Sequence, residues 1–329
     1  MVLAVPLVVL GQSLADQSTQ FSVLVLPPLQ LVVVALPVWW VLETGRRGLN
    51  PGSAQRGWGI ASVGTLITMP LIIVLEGMSI FLAALLGYSW LSAHPQALQE
   101  LQTMFRAMSG SGISSGQASQ ILGPLLSQPG IIFLFFLYLS VIGPLIEETF
   151  KPLALWFLAG RKITPSQGFT AGLVCGAVFA LLESLSNIYP ALASDWASTV
   201  AVRVVAALLH ITFSGLVGLG LALAWRRGKY IQLGGLFLLA VAMHGLWNGV
   251  SLLSGLAPLL DPAQYPVLVW LGQYSNVFMV VLAVFILALL LGVNRYLRTH
   301  PDEEAPVPAV NSIDSLQSTT EAQRPGENL

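Results

Sequence analysis

Seven times along this chain an apolar run of about twenty or more residues recurs, the length a helix needs to cross a hydrocarbon core about 30 Å thick. A bilayer core offers no water to backbone amides, so each such run must be helical. The chain of 329 residues is 55% hydrophobic and only 9% charged, with a mean hydropathy of +0.77, so no soluble domain of useful size remains. The expected fold class is all-α, a polytopic helical membrane protein with about seven transmembrane helices. The runs fall at about 21–42, 58–88, 131–159, 168–190, 200–225, 231–255 and 266–294, numbered spans one to seven. Pro27, Pro28 and Pro37 interrupt span one, which membrane helices tolerate when neighbours satisfy the freed backbone groups.

Orientation follows from basic residues. Arg46, Arg47, Arg56, Arg161, Lys162, Arg226, Arg227, Lys229, Arg295 and Arg298 flank the ends after odd spans and before even ones, which places those ends in the cytoplasm. The N-terminus is then outside and the C-terminus inside. Arg106, in the longest outer loop, and Arg203, near the outer end of span five, are exceptions. Residues 1–20 read as an N-terminal interfacial segment, because residues 1–10 are apolar but too short to span and lack a basic leader. Residues 21–88 hold two N-terminal spans. The outer loop 89–130 contains an amphipathic pattern of Leu98, Leu101, Phe105 and Met108 followed by the Gly/Ser stretch 109–116; it reads as a helix resting on the bilayer in preference to a lid. Residues 131–255 hold four spans rich in ionisable groups, 256–299 the last span, and 300–329 a polar tail too poor in apolar residues to order itself. Cys175 stands alone in span four, so disulfides play no part. The net charge of −1 marks no charged partner, and nucleic acid is not expected among the partners, which are the lipid bilayer and a membrane-anchored substrate.

Against this background, Glu76, Glu147, Glu148, Lys151, Glu183, His210 and His244 lie inside the apolar runs. An ionisable side chain at that depth costs a few kcal/mol and is by default a functional candidate. In span three Lys151 follows Glu147 by four residues and Glu148 by three, so it can reach either; alone, the set reads equally well as a structural ion pair with one glutamate left over. Pro144 and Pro152 remove the helical partners of the Ser140 and Glu148 carbonyls and predict a kink beside the acids. Span four offers Phe179 and Glu183 one turn apart with Asn187 beyond. Span five offers His210, seven residues after Arg203, and span six His244 and Asn248 one turn apart. Singly, each has a bland reading as a packing contact.

Depth changes that balance. Counted at 1.5 Å per residue from the cytoplasmic ends, Glu147 lies roughly 19 Å in, Glu183 roughly 27 Å, His210 roughly 24 Å and His244 roughly 21 Å, a single layer shared by four helices. Three carboxylates facing one lysine in a low-dielectric layer would repel, so a proton or a metal ion must supply positive charge. Glu76 has no assigned place, because span two is too long to fix its depth.

The ordered set E-E-x-x-K, F-x-x-x-E, a lone histidine and H-x-x-x-N on four successive helices resembles the PrsW family of intramembrane proteases, distant relatives of the type II CAAX-prenyl endopeptidases. The resemblance covers about 131–255, with Pro37-Val38-Trp39-Trp40 as a weaker likeness to PrsW-type bacterial membrane proteins. In the CAAX relatives the second motif ends in histidine where this chain has Glu183, which favours the PrsW side. The resemblance implies a four-helix catalytic core in a bacterial cell membrane, hydrolysing peptide bonds of a membrane-anchored protein near its extracytoplasmic side. Glu147 or Glu148 is then the general base, Glu183 or His210 orients the water, and His244 with Asn248 stabilises the oxyanion, with Lys151 and Phe179 in support. A divalent metal such as zinc is chemically reasonable, with Glu148, Glu183, His210 and His244 as candidate ligands. No span holds an aspartate and Gly110-Ser111-Gly112 lies in a loop, which disfavours aspartyl and serine mechanisms. The rivals are a proton- or ion-coupled transporter, for which no inverted repeat is visible, and a non-catalytic membrane binding protein of the same fold.

Overall fold

The computed structural model describes residues 4–17, 19–108, 123, 128–161, 163–186 and 196–301. The expectations for Asn187, for the Gly/Ser stretch 109–116, for Gly110-Ser111-Gly112 and for most of the tail lie outside them. Among the described residues seven helices are long and apolar enough to cross a membrane: Leu24–Arg46, Ala54–Trp90, Pro129–Trp156, Pro165–Leu185, Trp196–Arg227, Tyr230–Leu259 and Ser275–Thr299. They fall on the seven expected spans, with two local differences.

The seventh span begins later than the hydrophobic pattern indicates. Pro266–Gln273 is a separate short helix, broken from Ser275–Thr299 at Tyr274. It folds back because Gly272 packs directly on Ala257 and the Leu253 carbonyl at the end of span six, a contact no larger residue would permit. The N-terminal segment is the second difference. Ala4–Gln17 forms a helix that docks on the bundle, with Gly11 against the ring of the fully enclosed Trp196 and Gln12 accepting the Ala197 amide at 3.0 Å.

Spans two and three each carry one wide π-helical turn, at Gly64–Thr68 and Tyr138–Ile142. Each ends two residues before a proline, Pro70 and Pro144. Proline cannot donate to the carbonyl four residues back and its ring crowds that carbonyl, so the helix relaxes by widening one turn. Span three breaks again after Phe150: Lys151 and Pro152 form a turn before the short helix Leu153–Trp156. The kink expected from the two prolines is therefore a widened turn and a break, one on either side of Glu147 and Glu148.

Span five is the most enclosed helix, with span four next. Spans one, four, six and seven pack around it. The tight seam is with span four, where Gly168, Gly172 and Gly176 repeat every fourth residue on one face. A Cβ on these would collide with the carbonyls of Gly218, Ser214 and His210 respectively, so the two backbones meet in the close approach that small residues allow in lipid. Since Gly176 rests on His210 itself, the seam also sets the height of that histidine. Gly176→Val is expected to lower the melting temperature in detergent, at a cost of about 1–3 kcal/mol from overpacking, and to reduce activity with it. Gly57→Ala, whose Cβ would meet nothing within 4 Å, should leave both unchanged.

Candidate active site in the bundle interior

Span three provides the centre of the site. The wide turn and the break give the segment Gly143–Phe150 its own register, and this segment buries Glu147, Glu148 and then Lys151 against spans four, five and six. Lys151 Nζ lies 2.8 Å from Glu147 Oε2 and 2.7 Å from Glu148 Oε1, so it reaches both glutamates rather than one. It also approaches His210 Nδ1 at 2.8 Å and sits 4.1 Å from the ring centroid of Phe179, which supplies a cation–π face.

Span five brings His210 and span four brings Glu183 to the far side of this lysine. His210 Nε2 is 2.9 Å from Glu183 Oε2, and Arg203 Nη2 is 2.5 Å from the same oxygen. The i, i+7 spacing of Arg203 and His210 thus converges on one carboxylate. Since Lys151 can only donate, His210 Nδ1 accepts from it and Nε2 carries the hydrogen given to Glu183. On the opposite side His244 Nδ1 meets Glu148 Oε1 at 2.9 Å, which leaves His244 Nε2 facing Glu147 Oε2 at 3.8 Å. The two imidazole rings stand nearly perpendicular with centroids 5.0 Å apart. Phe179 packs edge-on against His210 at the same separation.

Asn248 lies one turn from His244, and its Nδ2 donates to the Leu139 carbonyl at 2.9 Å, a group within the widened turn of span three. Gly245 presses on the Ser140 carbonyl next to it. Span six thereby holds the wide turn in place with one of the two amide hydrogens of Asn248 and the bare face of Gly245.

Glu76 also joins the site. Its carboxyl group neighbours those of Glu147 and Glu183 and the ammonium of Lys151, while Ile72, one turn earlier, packs in the apolar cluster with Phe179, Ile146 and Phe150. The four carboxyl groups Glu76, Glu147, Glu148 and Glu183 therefore face two fixed cations, Lys151 and Arg203, one more of each than the sequence indicates. The balance needs protons or a divalent ion.

The donor set fits a divalent metal in its chemistry. Glu147, His210 and His244 present ligand atoms that all lie within 4.8 Å of one another. Each histidine has its other nitrogen held by a carboxylate, Glu148 for His244 and Glu183 for His210, the outer arrangement that orients metal-binding imidazoles. Glu148 Oε2 is buried with no hydrogen-bond partner among the described residues. Of the four ligands expected, His210 and His244 fall in this group. Glu148 and Glu183 stand behind the histidines, and Glu147 takes the place expected for a carboxylate ligand. His210 reaches the centre through the nitrogen that faces Lys151, so the ammonium and an ion would share it.

Glu147, Glu148, Lys151, Phe179, Glu183, His210 and His244 thus lie together, from four helices that contribute far-separated parts of the sequence, while Asn248 bonds the widened turn beside them. Arg203, read from the sequence as an exception to the charge pattern, and Glu76, whose depth the sequence leaves open, lie beside it. The fold and this interior define a multi-pass membrane protein with an acid and histidine centre enclosed in its helices. The sequence model of the PrsW family intramembrane metalloproteases matches residues 101–290, more than half of the chain, and the chain belongs to that family. It is accordingly a PrsW-type intramembrane metalloprotease. Nothing matches the chain among curated proteins or among solved structures.

Proposed function

We propose that the chain hydrolyses peptide bonds of membrane-anchored proteins with Glu147 as the general base. The observation that carries this assignment is the difference between two adjacent glutamates: the Glu147 side chain keeps 11% of its surface open, whereas Glu148 has none. A base must touch the water it activates. Glu147 takes the proton from the attacking water and delivers it to the leaving amine, with the neighbouring carboxyl of Glu76 able to share it. Glu148 holds Lys151 and His244 in position. Glu183 and Arg203 fix His210. The ammonium of Lys151, beside Glu147, is the donor for the oxyanion that forms on the scissile carbonyl, with the second amide hydrogen of Asn248 as the other candidate.

Glu147, His210 and His244 are the residues that would hold a divalent ion; Glu147 drawn to the ion would be a weaker base, and the ion would supply the activation instead by making the attacking water more acidic and polarising the scissile carbonyl. Zinc titration of the purified protein is expected to give about one equivalent bound, as a three-ligand site allows. His244→Ala should abolish it. Equal metal content in the two proteins would overturn this ligand set.

The basic ends of the spans support a cytoplasmic C-terminus, with the acid centre toward the outer leaflet. The direct test is a comparison of membrane-protein N-termini between cells expressing the wild type and cells expressing Glu147→Gln/Glu148→Gln at equal abundance. New N-termini confined to the wild type are expected, and coincident profiles under several stresses would overturn the assignment.

A further inference from the structure

Away from the acid centre, at the basic end of the bundle, spans two and three enclose an open groove of about 410 Å³. Its wall has two halves of different chemistry. Its polar lining is Ser53, Gln55, Arg56 and Arg161, and its apolar lining, one to two helical turns away in the same segments, is Ile60, Val63, Ala154, Phe157 and Leu158. No carboxylate lines it. Arg56 Nη1 donates to the Gln167 carbonyl oxygen Oε1 at 3.2 Å, a neutral partner that orients the guanidinium without cancelling its charge. Arg161 makes no ion pair among the described residues.

Phe157 of its lining is exposed, and so are Trp58 and Trp156, each adjacent in the chain to a residue of the lining. Tryptophan gathers at the boundary between hydrocarbon and headgroups, so these rings place the groove at headgroup level. A guanidinium pair at that level binds phosphate through bidentate hydrogen bonds, and the adjoining apolar wall continues downward into acyl-chain depth. A free phosphate ion would use the first half of the groove only.

We propose that this groove is a binding site for one anionic phospholipid, with the phosphodiester between Arg56 and Arg161 and the start of an acyl chain along Ile60, Val63 and Phe157. The volume suits a small-molecule headgroup, since such sites run from about 300 Å³ upward. The helix Ala54–Val63 rests on Leu153–Trp156 of span three, so a lipid held there ties the entry of span two to the segment that follows Lys151.

The test is titration of the full-length protein in detergent with short-chain phosphatidylglycerol, followed by native mass spectrometry. Saturable retention of one molecule is expected, tighter than for phosphatidylcholine of the same chain length. Arg56→Gln/Arg161→Gln should weaken it roughly 20- to 30-fold, from about 1 kcal/mol per basic residue near a lipid surface. Arg56→Lys/Arg161→Lys keeps both charges and should keep most of the binding, which separates a lost site from a lost fold. Lys229→Gln/Arg295→Gln removes two exposed charges from the same end of the bundle and should change nothing. Equal weakening in that control pair would overturn the site in favour of diffuse surface charge. Competition by millimolar inorganic phosphate would overturn the lipid as occupant in favour of a soluble anion, and equal retention of phosphatidylcholine would overturn the selection for anionic headgroups.

Discussion

Glu147→Gln is expected to lower peptide-bond cleavage by about a hundred- to ten-thousandfold, the range over which a positioned general base contributes. The substitution keeps the size of the side chain and removes only its ability to accept a proton. Lys151 retains Glu148 Oε1 at 2.7 Å as a charged partner, so the fold should survive with a small change in melting temperature. Glu147→Asp tests geometry separately from charge. It preserves a carboxylate but withdraws it by one methylene, and a misplacement of about 1 Å can cost a hundredfold in a site that works by positioning. Cleavage is read from the N-termini that disappear. A glutamine variant that retains more than a tenth of wild-type cleavage would assign the base elsewhere, with Glu183, whose side chain keeps 23% of its surface open, next in line.

Glu76→Gln discriminates further. A residue that only packs would change stability and leave the dependence of rate on pH alone. Glu76 is a titratable neighbour of Glu147, so the substitution should displace the acidic limb of the pH profile as well as lower the rate.

Which parts of this site the sequence announces follows from the kind of signal each part leaves. The seven spans and the four polar helices are visible because depth in a bilayer is measured by counting residues, and charge inside an apolar run cannot be hidden. Arg203 is visible only as an exception to the charge asymmetry between the two ends, and its purpose appears when Glu183 bonds it and His210 through one oxygen. Span two runs unbroken for 37 residues, so counting from either end leaves the depth of Glu76 open. The prolines of span three announce a kink but not its form. Whether the helix widens or breaks depends on what neighbours can offer the turn, and here Asn248 donates to the Leu139 carbonyl and Gly245 leaves room for the Ser140 carbonyl, both about a hundred residues away. The Gly168, Gly172, Gly176 stripe is written in the sequence, yet only its partner helix shows that it carries His210.

Lys151→Met is the second large effect. The ammonium is fully enclosed and, among the described residues, is the only fixed cation bonded to Glu147 and Glu148, so its removal leaves two buried carboxylates without a fixed counter-charge. Breaking a buried pair in this way costs about 3–5 kcal/mol, because the partner keeps its desolvation penalty and loses its compensation. The melting temperature in detergent should fall steeply. Two additions are expected to restore part of it. Glu148→Gln in the same chain neutralises the most enclosed carboxylate, so the double variant should be more stable than Lys151→Met alone, a coupling that a merely steric role for the lysine would not produce. Zinc should also stabilise the Lys151→Met protein more than the wild type, because His210 Nδ1 and Glu147 Oε2 no longer face an ammonium at 2.8 Å. A Lys151→Met protein as stable as the wild type, with no gain from either addition, would mean that the charge at the centre is balanced by protons on the glutamates themselves, and the lysine would then lose its place in both the architecture and the chemistry of the site.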